Sequence, residues 1–279
     1  MATVEESVQT LEALCQCAIS LSMRTQGRPT SDWRLLEGST IFAMNCLTCI
    51  SLLRLVPISS FYRPVEKLDA WDFASVASLV RNMIETYFVL FYVLEEVSEN
   101  EGEARHALWR LHETTERLKA LQFGVPASKG IEQLKKEYSH RRTRLESSSF
   151  FQTLPTKQRK NLLDGRDSKF LTQREIARRA GVSQKYLASC YKYCSNFIHT
   201  APMSVAMMST FRASTTEGRE RFKYASELAT AFIALTIRDF VRVVPDQINH
   251  IALKVWEIIL VWEGTLRDWD VHSGVAPDA

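Results

Sequence analysis

From its first residues the chain repeats apolar side chains at the period of a helix. Val4, Val8, Leu11, Cys15 and Ile19 return every three or four positions, the spacing of one buried helix face, and the run stops at Gly27 and Pro29. The same pattern predicts a second helix from about Ser31 or Asp32 to Val56, where Pro57 ends it. A third is expected over about 70–97, with Phe73, Val76, Leu79, Val80, Ile84, Tyr87, Phe88, Phe91 and Leu94 marking it as a central core helix. More polar helices are expected over about 101–123 and 131–148, divided by the turn-like GVPASKG, and a short basic one around 157–163. Thr172 and Glu175 have capping-box spacing, Gly181 is placed to end that helix, and the next starts after Ser183. Pro202 opens a short segment, and two long helices are expected over about 217–243 and 247–268, divided by Pro245. No alternating run bounded by hairpin turns and no internal repeat competes with this pattern. The fold class is therefore all-α: one multi-helix bundle over 1–279, with 99–170 set apart as a more polar, basic arm or subdomain and 270–279 as a loose tail.

With 279 residues and 46% hydrophobic content, the chain can bury a sizeable core. The apolar stretch from Thr40 to Val56 is interrupted by Asn45 and Arg54 and reads as a buried helix rather than a membrane span. The acidic start, MATVEESVQTLEAL, is opposite to a secretory signal, so a cytoplasmic location without membrane attachment is expected. Six cysteines lie within apolar helical patterns and read as buried thiols. Cys46 and Cys49 form a C-x-x-C with no second pair or nearby histidine, so neither a metal nor any other cofactor is expected. Phosphate-loop, dinucleotide-binding, zinc-protease and nucleophile-elbow motifs are all absent.

Charge is distributed unevenly. The chain carries only +3 overall, yet residues 101–200 hold 20 Lys and Arg against 10 Asp and Glu, whereas the rest holds 15 against 22. A basic block of this kind suits a polyanion such as RNA, because lysine and arginine replace the counterions condensed on phosphates; a set of solvated helix faces accounts for the same charge. The residues proposed for such contacts are Arg141, Arg142, Arg144, Lys157, Arg159, Lys160, Arg178, Arg179 and Lys185.

Two groups of polar residues fall on apolar helices. Tyr191, Ser195 and His199, four residues apart, drift only about 80° around a helix and can line one groove. Arg81 and Glu85, also four apart, lie in the most apolar helix, where charges need partners. The bland account is an intrahelical ion pair and a hydrogen-bonded core histidine. The functional account brings the two helices together, with His199 moving a proton, Arg81 stabilising phosphate charge, Glu85 orienting either, and Tyr191 and Ser195 holding substrate.

The segments R-N-x-x-E-T-Y (Arg81, Asn82, Glu85, Thr86, Tyr87), I-A-x-x-x-G-x-x-x-x-Y (Ile176, Ala177, Gly181, Tyr186) and Y-x-x-x-S-x-x-x-H (Tyr191, Ser195, His199) resemble an uncharacterised, mainly bacterial all-α family over about 65–210. That family brings no activity with it. Such proteins are also reminiscent of the HEPN superfamily of helical ribonucleases and toxins, whose mark is an arginine followed after four to six residues by histidine. That likeness implies a metal-independent ribonuclease or RNA-binding protein acting as a toxin or antiphage effector. Here Ser195 stands where the arginine before His199 is expected, so Arg81 would have to supply the cation from another helix. A literal R-x6-H occurs at Arg105 and His112, an alternative catalytic pair that shares one helix face.

Two other classes stay open. A non-enzymatic interaction module would use the polar groups as a satisfied network and dock an acidic partner through the basic region, with a homodimer or another protein partner also open. A DNA-binding regulator would use LTQREIARRAGVSQKYLAS as a helix-turn-helix, with Gln184, Lys185 and Ala188 toward the major groove, although the second helix runs on into apolar CSNFIH. Trp262 and Trp269 share a face of the last helix and are expected to pack on the bundle or on another subunit.

Overall fold

A computed structural model describes residues 2–62, 72–122, 129–199, 202–210 and 215–269. Among them the chain is all-α, with no strand. The GVPASKG turn lies largely outside the described residues, and the 270–279 tail wholly so. The described chain forms two compact units, one of residues 1–94 with 173–279 and the other of 95–172.

In the first unit, α1 (Val4–Thr25) opens on a capping box in which Thr3 and Glu6 satisfy each other's backbone amides. Asp32 caps α2 (Trp33–Leu55) by accepting from the Arg34 amide at 2.9 Å. The third helix, α3 (Phe73–Leu94), buries Val76, Val80, Ile84, Tyr87 and Phe88 among others. The helix α11 (Thr216–Val243) is more enclosed still, buried without a break from Leu228 to Val241. It packs against α1, α2 and α3 together, so α11 joins α3 at the centre of the bundle.

A continuously buried helix must satisfy the charges it carries, and α11 does. Arg238 pairs with Asp239 at 2.8 Å and with Glu263 at 3.0 Å, while the Tyr87 hydroxyl donates to Asp239 at 3.0 Å. Pro245 does not simply divide two α-helices. A 3-10 segment (Pro245–His250) follows it, and the last α-helix begins only at Leu253. That final helix buries Ile259 and Leu266 and leaves Leu253, Leu260 and Val261 exposed. Trp269 packs edge-on against Tyr186, ring centroids 4.8 Å apart, which places it on its own bundle.

The helices α2 and α3 are long and apolar enough to cross a membrane by length and composition; 39% and 56% of their apolar windows are buried in the bundle. Cys15, Cys46 and Cys49 meet between α1 and α2. Burial pushes the Cys46 thiol up, and a Cys15 hydrogen bond followed by burial does so for Cys49, the reverse of the shift a metal-ligating or nucleophilic thiolate needs.

The second unit is a hairpin of α4 (Glu99–Gln122) and α5 (Lys129–Glu146), completed by α6 (Ser149–Thr153) and α7 (Thr156–Leu163). Its own small core joins Leu108, Leu111, Leu145, Phe151, Leu162 and Phe170. The helix α6 falls in SSSFFQTLP, where Ser148 caps it, in a stretch that reads from sequence only as an approach to the basic helix. The remaining helices of the first unit are α8 (Gln173–Arg179), α9 (Gln184–Ile198) and α10 (Pro202–Thr210).

Candidate functional site

Helix α9 is set onto α3 by aromatic packing. Phe73 meets Phe197 at 4.9 Å and Tyr193 at 6.2 Å between ring centroids, and α9 buries Tyr186, Leu187, Cys190, Cys194 and Phe197 along one side. With that face fixed, Tyr191 lands between Arg81 and Glu85. The Tyr191 hydroxyl accepts from Arg81 Nη2 at 2.6 Å and donates to Glu85 Oε1 at 2.7 Å, while Arg81 Nε donates to the same carboxylate oxygen at 3.0 Å. The guanidinium carbon also lies 4.3 Å from the Tyr191 ring centroid, a cation–π contact. Burial, then the bond to Glu85, raises the Tyr191 pKa; for Arg81, burial is outweighed by Tyr191 and Glu85, so the guanidinium is held charged.

The clamp closes without the rest of the triplet. Ser195 turns its hydroxyl back onto its own helix, donating to the Tyr191 carbonyl at 2.6 Å. His199 is the C-cap residue of α9 and is exposed, because helical geometry has ended where its side chain would need to follow the groove. The single buried groove holding cation, carboxylate, hydroxyl and imidazole is thus replaced by a three-residue clamp with an exposed imidazole at the helix end.

In the alternative pair on α4, the arginine is already engaged. Arg105 is 2% exposed and bridges Glu95 at 2.8 Å and Glu101 at 2.6 Å, so its guanidinium is committed inside the hairpin. His112, half-buried two turns further on, has its pKa lowered, chiefly by burial.

The proposed helix-turn-helix is present as a local shape. Ser183 caps α9 through the Tyr186 amide, Gly181 supplies the left-handed residue between the helices at φ +74°, and the Ser183 amide donates to the Leu266 carbonyl at 3.1 Å. Gln184 and Ala188 are exposed, yet the Gln184 amide already donates to the Arg174 carbonyl at 3.0 Å, and Lys185 is half-buried.

The second unit holds a pocket that joins Arg141 and Arg144, nominated by the charge pattern, to His106, Arg110 and His140, which are not nominated. Between α4 and α5 lies a pocket of about 210 Å³ lined by His106, Ala107, Arg110, His140, Arg141 and Arg144. Two H-x-x-x-R pairs, His106 with Arg110 and His140 with Arg144, bring their side chains to it from the two helices, since a step of four keeps both members on one face. Arg110 pairs with Glu113 at 3.0 Å; Arg141 donates to the Arg110 carbonyl at 2.7 Å and stands 3.5 Å from Glu137. Arg144 and His140 are exposed and make no ion pair among the described residues. His106 has its pKa lowered by burial and then by Arg144, Arg110 and Arg141 in turn. The cavity is therefore lined by three arginines and two histidines. The sequence signal for it, two histidines each followed four residues later by arginine, was open to inspection but is weak in a basic helical chain.

The other basic residues are placed unevenly. Arg142 pairs with Glu146 at 3.2 Å, Arg159 bonds Gln152 and Thr156, Lys157 and Lys160 are exposed on α7, and Arg178 and Arg179 are exposed in the last turn of α8. Among the described residues no group of three or more His, Cys, Asp or Glu side chains could hold a metal ion.

A family model described as a family of unknown function, DUF5677, matches residues 60–214. The chain belongs to that family. The DUF5677 segment spans α3 through α10 and so takes in the Arg81–Glu85–Tyr191 clamp, the Gly181 turn and the hairpin pocket. No curated protein and no solved structure matches the chain.

Proposed function

We propose that the protein binds RNA by its phosphates, with the α4–α5 pocket as the anchoring point. The observation that supports this reading is the convergence of His106, Arg110, His140, Arg141 and Arg144 on one cavity of about 210 Å³. Arginine forks suit phosphate oxygens, and the narrow cleft between two helices suits a strand whose backbone can enter it rather than a duplex. Arg144 and His140, exposed and without an ion pair among the described residues, are the groups open to an incoming anion.

The two imidazoles support a second reading, phosphodiester cleavage without a metal. His106, its pKa lowered by burial and then by its three arginine neighbours, would take the proton of a ribose 2′-hydroxyl. That oxygen would attack the adjacent phosphorus, forming a cyclic phosphate as the bond to the 5′-oxygen breaks, and His140 would protonate the departing oxygen. The arginines would carry the extra charge on the phosphorane oxygens. In this account His199 and the Arg81 clamp have no chemical role. The HEPN likeness supplies the setting we attach to it, an RNA-directed toxin or antiphage effector of the bacterial cytoplasm. The exposed Leu253, Leu260 and Val261 support an additional contact with a second copy or another protein.

The test is fluorescence anisotropy with a labelled single-stranded RNA, beside denaturing gels on the same mixtures. An Arg110→Ala/Arg144→Ala protein should bind at least about tenfold more weakly at unchanged helicity. RNA affinity equal to that of the unaltered protein would sink the reading. Binding that survives in His106→Ala and His140→Ala proteins while product disappears would favour cleavage; no product from the unaltered protein would leave binding alone.

A further inference from the structure

A second pocket, of about 230 Å³, lies in the first unit where α8 meets α9, independent of the hairpin and of the reading given to it. Its wall includes Tyr191, the clamp's tyrosine. Arg174 comes from α8, and Gln184, Leu187 and Lys192 come from α9 beside Tyr191.

The chemistry of these side chains divides into two parts. Arg174 and Lys192 are exposed and make no ion pair among the described residues, and α9 carries no acidic residue from Gln184 to Ile198. The nearest carboxylate belonging to the clamp, Glu85, is already occupied by Arg81 and the Tyr191 hydroxyl. The pocket lining therefore carries two cations, Arg174 and Lys192, and no carboxylate. Its floor is different: Leu187 is 6% exposed and apolar, and the Tyr191 ring is held rigidly by two hydrogen bonds and by the guanidinium stacked on it. An aromatic ring fixed at its hydroxyl end loses little entropy when a second ring packs against it, which is what makes such a residue useful for binding rather than only for stability.

The volume adds a limit. At about 230 Å³ the cavity is smaller than the roughly 300–1,000 Å³ of sites that enclose whole drug-sized ligands, so it suits one ring system with its anionic group at the mouth. The Gln184 side chain, its amide nitrogen held by the Arg174 carbonyl at 3.0 Å, presents its oxygen as an acceptor for a ring amine.

We propose that the α8–α9 pocket binds a nucleoside monophosphate moiety, its base against Tyr191 and Leu187 and its phosphate between Arg174 and Lys192. The same chemistry is presented by a free mononucleotide and by the phosphorylated 5′ end of an RNA strand. Tyr191 is the positioning centre of the site, and Arg81 and Glu85 act through it.

Isothermal titration of the full-length protein with AMP and UMP tests this, with inorganic phosphate and adenosine as probes of the two halves. Both monophosphates should bind, each half alone should bind at least about tenfold more weakly, and an Arg174→Ala/Lys192→Ala protein should lose at least about tenfold in affinity. These two side chains are exposed, so the variant should melt like the unaltered protein; the Arg110→Ala/Arg144→Ala protein should bind AMP normally, which separates this site from the hairpin. Displacement of a fluorescent AMP by a 5′-phosphorylated oligoribonucleotide, and not by its 5′-hydroxyl counterpart, would identify the strand end as the source. Displacement by neither, with AMP still bound, would identify the free nucleotide. Absence of AMP and UMP binding at millimolar concentration, or binding indifferent to the loss of Arg174 and Lys192, would overturn the proposal.

Discussion

Arg105 separates a strut from a catalytic cation, and the structure assigns it the first role. Its side chain is 1% exposed and reaches Glu95 at 2.8 Å and Glu101 at 2.6 Å, both carboxylates being 16% exposed. Arg105→Ala removes the cation and leaves two largely buried carboxylates facing a gap. Breaking a buried ion pair by deleting one partner costs about 3–5 kcal/mol. For a unit of 60–100 residues each kcal/mol moves the midpoint by about 4–8 °C, so the melting of residues 95–172 should fall by roughly 10–40 °C. Circular dichroism melts, with hydrogen exchange followed on the α4 amides, read this directly. An Arg105→Leu/Glu95→Gln/Glu101→Gln protein should recover most of the loss, because no charge is then left buried without its partner. Two results would refute the argument. A melt of Arg105→Ala within about 2 °C of the unaltered protein would show that the ion pairs carry little. A well-folded triple variant that no longer binds RNA would show that Arg105 meets substrate, as the R-x6-H pattern suggests.

Tyr191→Phe removes the two clamp hydrogen bonds made by the tyrosine hydroxyl but keeps the ring and the Arg81–Glu85 pair; with Glu85 44% exposed, solvent weakens what is lost, and urea titration should show a decrease of about 1 kcal/mol. His106 and His112 both have pKa values lowered from the ordinary 6.5, so between their folded values and 6.5 the unfolded chain binds more protons. Stability of residues 95–172 should accordingly hold above about pH 7, decline as pH falls through 6.5 and level off once the folded-state values are passed; chemical denaturation across pH reads it, and a His106→Gln/His112→Gln protein should show a shallower decline. Arg144 and Arg142 are near in sequence but differ in pairing, so Arg144→Ala should lower the slope of log affinity for single-stranded RNA against log salt by about 0.7, whereas Arg142→Ala, bonded to Glu146 and Tyr138, should leave it nearly unchanged. Equal effects of the two would remove the pocket's special status.

The helices themselves were legible because their determinants are local. Apolar residues at helical spacing, Asp32 and Ser183 as caps, Pro57 as a stop and Gly181 at a left-handed turn act within a few residues of where they stand. Pro245 shows the limit of local reading: a proline marks an interruption, but whether the chain resumes as α-helix at once or passes through a 3-10 turn depends on how the next helix packs.

Sites are set by which faces meet, and that is decided by packing between distant segments. The spacing of Arg81 and Glu85, and of Tyr191, Ser195 and His199, nominates two faces. Only the seating of Phe197 and Tyr193 against Phe73 fixes the register that brings Tyr191 onto Arg81 and Glu85, turns the Ser195 hydroxyl to its own backbone and leaves His199 past the helix end. The hairpin pocket makes the same point from the opposite side. His106 and His140 are 34 positions apart, and nothing local to either indicates that α4 and α5 will lay them on one cavity with three arginines. Sequence by itself determined the helices, their caps and the basic character of the middle segment, since backbone hydrogen bonding and charge are properties of neighbours; tertiary structure alone decided which polar groups neutralise one another and which remain to meet a ligand, since that depends on side chains brought together from far along the chain.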